Sequence, residues 1–215
     1  ERNYNNREWI CKPDASCGHE AASPVFQNHS DLIFLRNVID CFKERNATFN
    51  KKCGLHVHID CCRLSNEEIT KMLIYWLKSE SIILSMVPKS RRKNKYCLPL
   101  RNDQNIKGLT FQELKKYILK FNSLNKNKII NTLGIKKRGT LEFRLLEGSL
   151  ESEDIINWIL FCFYFLYQSQ KSIFPTDAKQ FTFGQFWDFM ELQGNYDGRE
   201  MIIFSEQLTE MRIWI

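Results

Sequence analysis

The chain has 215 residues, a formal net charge of +6, and 43% hydrophobic and 13% aromatic residues. This is enough apolar surface for one sizeable core, and the moderate positive charge suits a nucleotide or an acidic substrate. The longest apolar run, from Ile155 to Tyr167, is shorter than the roughly 20 residues of a membrane span, and no repeat, low-complexity tract or linker divides the chain. We therefore expect a single domain over residues 1–215 that has no membrane partner.

Strands and helices are predicted along the whole chain without strict βαβ alternation, which favours an α+β fold with a largely antiparallel sheet. Ser65 is a predicted N-cap, and Pro88 ends the same helix. Strands are predicted at 9–12, 20–26, 54–61, 128–135 and 140–147. Helices are predicted at 30–45, 66–87, 110–124, 152–172, 183–192 and 198–212.

The first polar cluster lies near the N-terminus, where Asp14 and Ser16 are typical turn formers. Glu20 follows in a second predicted strand, next to the small residues Ala21 and Ala22. Small neighbours permit the close approach of a ligand, so Glu20 is the more informative residue of this cluster.

The segment 54–60, with the sequence Gly-Leu-His-Val-His-Ile-Asp, is the most informative stretch of the chain. Side chains of a strand alternate between its two faces, so His56, His58 and Asp60 share one face, while the branched apolar residues between them face the core. Two imidazoles and a carboxylate on one rigid strand can hold a metal ion or polarise a phosphate. A half-buried strand with a polar, solvated face is the simpler alternative.

A basic segment follows the apolar helix and contains five positive charges between Lys89 and Lys95. We predict an exposed loop over 88–97. Solvated loops of this kind are common, but Arg91 and Arg92 would also suit a polyanion such as ATP.

A second alternating motif runs from Gly139 to Glu147. It places Glu142 and Arg144 on one face, about 7 Å apart at strand rise. On a surface this would be an ion pair of little energetic value. In a phosphate-transfer site the same glutamate could hold a divalent cation, and the arginine could grip the phosphate through two hydrogen bonds.

Together these motifs resemble the amidoligase family, a branch of the superfamily of glutamine synthetase and glutamate–cysteine ligase. Four family patterns occur in order. They are D-x-S followed by E-x-x-S-P over 14–24, C-G-L-H-V-H-I-D over 53–60, P-x-S-R-x-x-N-x-Y-C over 88–97, and G-T-x-E-F-R over 139–144. The resemblance covers residues 9–150 and fades in the helical tail.

The resemblance implies a curved, largely antiparallel sheet of the glutamine synthetase type with helices packed behind it. It also implies ATP-dependent joining of a carboxylate to an amine through an acyl phosphate, with Mg²⁺ or Mn²⁺ as the cation and a small molecule or peptide as substrate. Glu20, His56 and Glu142 would be metal ligands on one shared sheet. His58, Arg91 and Arg144 would be catalytic and bind phosphate or the substrate carboxylate, with Arg92 as a weaker phosphate ligand.

Members of this family usually begin with a strand of the form G-x-E-x-E, which supplies further metal carboxylates. No such pattern precedes Trp9, so we expect the chain to lack this first strand. This departure keeps open a second interpretation, a catalytically inactive domain that binds a nucleotide or peptide in the same cleft.

Eight cysteines leave a third interpretation open, a zinc-dependent or nucleic-acid-binding protein. Cys53, Cys61 and Cys62 flank the two histidines, but strand alternation places Cys53 and Cys61 on the face opposite to them. The basic loop offers no stacking platform for bases beyond Tyr96. No signal peptide is seen and the cysteine spacing is irregular, so reduced thiols in a cytoplasmic protein are expected.

Overall fold

The computed structural model describes residues 8–14, 17–102, 108–119 and 127–191, and the backbone of 213–214. Its strands are β1 (Ile10–Asp14), β2 (Gly18–Ala22), β3 (Val57–Asp60), β4 (Ile130–Asn131), β5 (Thr140–Phe143) and β6 (Ile213–Trp214). Its helices are α1 (His29–Glu44), α2 (Asn66–Met86), α3 (Lys89–Arg92), α4 (Phe111–Leu119), α5 (Leu133–Arg138), α6 (Ser152–Lys171) and α7 (Phe183–Phe189), with a short 3-10 helix at Leu100–Asn102.

Four of the strands form an antiparallel sheet in the order β4-β5-β3-β6. The register places His58 opposite Glu142 on the β3–β5 pair, and Asn131 opposite Glu142 on the β4–β5 pair. Strands β1 and β2 form a separate antiparallel hairpin. The combination of helices with antiparallel sheets makes this an α+β fold, as the sequence predicts.

Helices α2 and α6 cover the apolar side of the four-stranded sheet. Trp76 of α2 is fully buried, and its ring centroid lies 5.5 Å from that of Phe143 on β5 and 5.2 Å from that of Phe165 on α6. Val57 and Ile59 of β3 are also fully buried, so alternation leaves His58 and Asp60 on the other side of the sheet. The core therefore fixes which side chains reach the polar side.

Local sequence signals explain where several elements begin and end. Ser65 caps α2 in a capping box with Glu68, as the N-cap prediction anticipates. Gly139 ends α5 with a φ of 68°, in the left-handed region that favours glycine. A Cβ on Gly139 would also meet Cys62 Sγ at 2.0 Å, so both the backbone conformation and the packing require glycine here.

The predicted elements differ from the structure mainly in length. Predicted strand 128–135 contains β4 of only two residues and then turns into α5, because the Asn131 side chain accepts the Leu133 N–H at 3.0 Å. Predicted loop 88–97 contains α3, and predicted strand 20–26 corresponds to β2, which ends before Ser23. Predicted helix 198–212 lies outside the described residues.

Within the described ranges, no helix has both the length and the apolar character needed to cross a bilayer.

Candidate functional site

Glu142 is the centre of a polar cluster on the side of the sheet that faces away from α2 and α6. Its Oε1 accepts a hydrogen bond from Arg144 Nη1 and lies 3.3 Å from His56 Nδ1 and 3.9 Å from His58 Nε2. Its Oε2 accepts a hydrogen bond from Asn131 Nδ2 at 2.5 Å. Only 4% of the residue is exposed, so this is a buried, fully surrounded carboxylate.

Strand pairing explains why these side chains meet. Leu141 and Phe143 flank Glu142 on β5 and are fully buried in the core, which directs the carboxylate to the opposite face. The antiparallel register then brings His58 of β3 and Asn131 of β4 alongside it from the two neighbouring strands. The predicted proximity of His56 to Glu142 is confirmed, and His58, predicted on the same face as His56, lies beside the carboxylate as well.

The pKa values of the residues in this cluster depend on one another. Burial alone would raise the pKa of Glu142, but the combined effect of His58, Arg144, His56 and the Asn131 amide lowers it below its usual value. Burial and the positive charge of Arg144 lower the pKa of His56 to about 4. At neutral pH the site therefore pairs an ionised Glu142 with the Arg144 guanidinium, and His56 is neutral.

Arg144 lies at the edge of this cluster, with 15% of its side chain exposed. Besides Glu142, it contacts the segment after α3, since its Nε donates to the Tyr96 carbonyl oxygen at 3.4 Å. The same segment carries the exposed ring of Tyr96, over which the Lys95 ammonium lies 5.1 Å from the centroid. Arg144 is thus a partly exposed cation beside the basic segment, and its contact with an anion stays a prediction.

Arg91 and Arg92 contact main-chain oxygens. Arg91 is 3% exposed; its Nε donates to the Leu145 carbonyl at 2.9 Å and its Nη2 to the Arg144 carbonyl at 2.8 Å. Arg92 donates to the Val87 carbonyl at 3.0 Å and the Ser85 carbonyl at 3.1 Å, at the end of α2. These bonds favour anchoring roles, and contact of either residue with phosphate stays a prediction.

Glu20 is placed apart from the other predicted metal ligands. It lies on the separate β1–β2 hairpin and pairs with Lys12 at 3.3 Å, so the expectation that it shares a sheet with His56 and Glu142 is wrong. Sequence alternation identifies a polar face of each strand but does not identify the sheet to which the strand belongs. Among the described residues, no group of three or more histidine, cysteine, aspartate or glutamate side chains is arranged so that it could hold a metal ion.

The described donors therefore do not fit a complete metal site. The imidazoles of His56 and His58 lie close to the carboxylate of Glu142. That carboxylate, however, already balances the positive charge of Arg144 and accepts a hydrogen bond from the Asn131 amide. A cation placed 2.0–2.6 Å from Glu142 would compete with that guanidinium for the same charge. We derive no chemical step through a metal from these residues.

Asn131 is the site residue that sequence inspection missed. It lies in a predicted strand directly after two apolar residues, Ile129 and Ile130, both fully buried. The signal in the sequence was an amide side chain next to two strongly apolar residues. If it is buried with them, it requires hydrogen-bond partners, which points to a polar cluster.

The cysteines behave as eight free thiols. Strand β3 ends at Asp60, so the predicted alternation does not extend to Cys61 and Cys62, and both sulfurs approach the Gly139 carbonyl oxygen, at 3.0 and 3.8 Å. Burial raises the pKa of Cys61 to about 12, which keeps this thiol protonated at neutral pH.

Residues 2–166 match the model of the family described as "Putative amidoligase enzyme". No curated protein and no solved structure matches the chain. The match covers all four motifs and every predicted site residue, including Glu20, His56, His58, Glu142 and Arg144. The chain therefore belongs to the amidoligase family.

Proposed function

We propose that the chain is an ATP-dependent ligase that joins a carboxylate to an amine. The observation that carries the proposal is the partly exposed Arg144 guanidinium, held by the buried Glu142 beside His56 and His58 in an amidoligase chain. Such a cation in a partly desolvated site stabilises the negative charge that develops when phosphate is transferred.

The proposed reaction has two steps. A carboxylate oxygen attacks the γ-phosphorus of ATP, which forms an acyl phosphate and releases ADP. The amine nitrogen then attacks the acyl carbon, inorganic phosphate leaves with the C–O bond electrons, and the nitrogen loses a proton to give the amide. In both steps the phosphoryl oxygens carry negative charge that the Arg144 guanidinium can balance through a charge-assisted hydrogen bond.

His58 is the proposed second contact for phosphate. Its side chain is 14% exposed, and its Nε2 lies 3.9 Å from Glu142 Oε1, on the same face as Arg144. The proposed cofactors are ATP and Mg²⁺ or Mn²⁺, and the cation would neutralise part of the phosphate charge. The proposed location of this chemistry is the cytoplasm, where ATP is available.

The test uses the full chain with Mg²⁺–ATP. Calorimetric titration should detect ATP binding, and Arg144→Lys should weaken it by at least ~10-fold, because lysine lacks the planar guanidinium that contacts Glu142 and the Tyr96 carbonyl and still presents a nitrogen to the anion. Arg138→Lys is the matched control, since Arg138 is an exposed arginine on α5, and it should leave the affinity unchanged.

Turnover is tested with hydroxylamine as the amine and a mixture of amino acids and small dicarboxylic acids as carboxylates. An acyl phosphate would be trapped as a hydroxamate, in equal amount to the ADP released. Wild-type protein that binds no ATP would contradict the proposal, as would ADP release without hydroxamate across the carboxylate mixture.

A further inference from the structure

The carboxylate of Glu142 has both oxygens engaged by side chains of this chain. Oε1 accepts from Arg144 Nη1, and Oε2 accepts from Asn131 Nδ2 at 2.5 Å. A metal ligand needs lone pairs and net negative charge directed at the cation. Here the adjacent guanidinium already balances the charge, so the geometry indicates a different role for Glu142.

Asn131 has a fixed orientation that suits this role. Its Oδ1 accepts the Leu133 N–H at 3.0 Å at the start of α5, which leaves the Nδ2 donor for Glu142. The residue is 4% exposed, and the β4–β5 register sets it directly opposite Glu142. A buried amide donor held in this way stabilises an ionised carboxylate in one rotamer.

Arg144 is the residue that this arrangement immobilises. Glu142 holds its Nη1, and the Tyr96 carbonyl holds its Nε at 3.4 Å. Among the described residues, none accepts a hydrogen bond from its Nη2. A guanidinium fixed at two nitrogens presents the third to a ligand with little loss of side-chain entropy.

We propose that Glu142 and Asn131 are positioning residues for Arg144 rather than metal ligands. Asn131 orients Glu142, Glu142 orients Arg144, and Arg144 binds an anionic oxygen of a phosphate or carboxylate group. This proposal rests on the proposed function, because it takes the bound anion to be the phosphate chain of ATP or the substrate carboxylate.

The first experiment separates positioning from metal ligation. Mn²⁺ is titrated into wild-type full chain and into Glu142→Gln without nucleotide, and free Mn²⁺ is followed by electron paramagnetic resonance. Equal affinities within about threefold, including none detectable in either protein, support positioning. A loss of tenfold or more in Glu142→Gln is expected of a metal ligand and overturns the proposal.

The second experiment follows the Arg144 guanidinium directly. Its Nε–H signal in ¹H–¹⁵N spectra is assigned by its loss in Arg144→Lys. Metal-free inorganic tripolyphosphate and glutamate are then titrated separately, which distinguishes a phosphate from a carboxylate ligand. We expect at least one of them to shift this signal, and Glu142→Gln and Asn131→Ala each to weaken that anion's affinity by at least ~10-fold.

Gln168→Ala is the matched control, because Gln168 is also a buried amide but donates to the Phe189 carbonyl at 3.4 Å. It should leave the anion affinity unchanged. If Glu142→Gln fails to fold, Glu142→Asp keeps the charge with a shorter reach and should weaken the same affinity. Unchanged affinity in the Glu142 and Asn131 variants, or no shift with either anion, overturns the proposal. Anion binding at Arg144 without hydroxamate formation would refute only the ligase reaction.

Discussion

At neutral pH Glu142 keeps its charge in a buried position because donors surround both of its oxygens. Burial of an isolated carboxylate would favour the neutral form. Here Arg144, Asn131 and the two histidines together lower its pKa instead. The residues of the site therefore depend on one another, and removal of one partner should alter the others.

His56 makes this dependence measurable as a function of pH. Its pKa is 6.5 in an ordinary environment and about 4 in the folded protein, where burial and Arg144 disfavour its charged form. Between these values the unfolded chain binds a proton that the folded protein does not, so stability falls as the pH decreases from 6.5 to 4. His56→Asn should flatten part of this decline.

The measurement is urea denaturation of both proteins at several pH values from 7 to 4.5. Carboxylates remote from the site contribute equally to both curves, so the difference between the curves reports His56 together with the groups that it influences, chiefly Glu142 and His58. Parallel curves would mean that His56 has the same pKa in the folded and unfolded states.

The sequence predicts much of this cluster, because alternation on two strands requires no knowledge of the fold. His56 and His58 are correctly assigned to one face, and the predicted proximity of His56 to Glu142 is correct. The role of Arg91 could not be predicted in this way, because its burial depends on where α3 packs against the end of β5. A charged residue in a basic segment gives no sign of the main-chain carbonyls that it will meet.

At the scale of elements, charged side chains attach the 3-10 helix at Leu100–Asn102 to α2. Glu80, in the middle of α2, is 1% exposed and accepts the Leu100 N–H at 2.7 Å and the Arg101 N–H at 3.0 Å. Arg101 in turn donates to the Leu77 carbonyl at 2.9 and 2.7 Å. Together these bonds fix the 3-10 helix to α2.

Glu80→Ala should therefore be strongly destabilising. It leaves one buried and one partly buried main-chain donor without an acceptor, which costs about 2–4 kcal/mol of unfolding free energy. Glu80→Gln keeps one oxygen acceptor and should lose less, partly because burial already raises the pKa of Glu80 and disfavours its charged form.

Glu67→Ala is the control on the same helix. Its side chain is 66% exposed and pairs with Lys115 at 3.2 Å, so its loss should change stability by less than about 1 kcal/mol. Chemical denaturation of the three variants gives the comparison. Equal losses for Glu80→Ala and Glu67→Ala would show that the 3-10 helix does not depend on Glu80.

For the molecule as a whole, the α+β class and the boundaries of α2 and α6 could be predicted from local signals. Ser65 and the first-turn acids of α2 mark where that helix begins, and apolar periodicity marks the extent of both. The separation of the β1–β2 hairpin from the main sheet could not be predicted, because strand pairing over long distances leaves no local trace. For that reason the sequence-based prediction assigned Glu20 to the wrong sheet.

The main sheet has two functions that share the same strands. One face packs against α2 and α6, with Phe143 of the sheet in contact with Trp76 of α2. The other face carries Glu142 and His58. Because side chains alternate strictly, a slip of one residue in register would exchange the two faces. The core therefore specifies the geometry of the site.

Trp76→Ala tests this connection. Trp76 is fully buried between Phe143 and Phe165, so its truncation should cost about 3–5 kcal/mol of unfolding free energy, from lost transfer energy and the cavity that remains. Trp187→Ala is the control, since that residue is 41% exposed on α7 and its truncation should cost much less stability.

Denaturation measures both losses of stability, and ATP affinity is then determined at denaturant concentrations well below the midpoint of each transition. We expect Trp76→Ala to weaken ATP binding while Trp187→Ala does not, because only Trp76 supports the β5 strand that holds Glu142 and leads to Arg144. Wild-type ATP affinity in a destabilised Trp76→Ala protein would show that the core stabilises the fold without determining the geometry of the site.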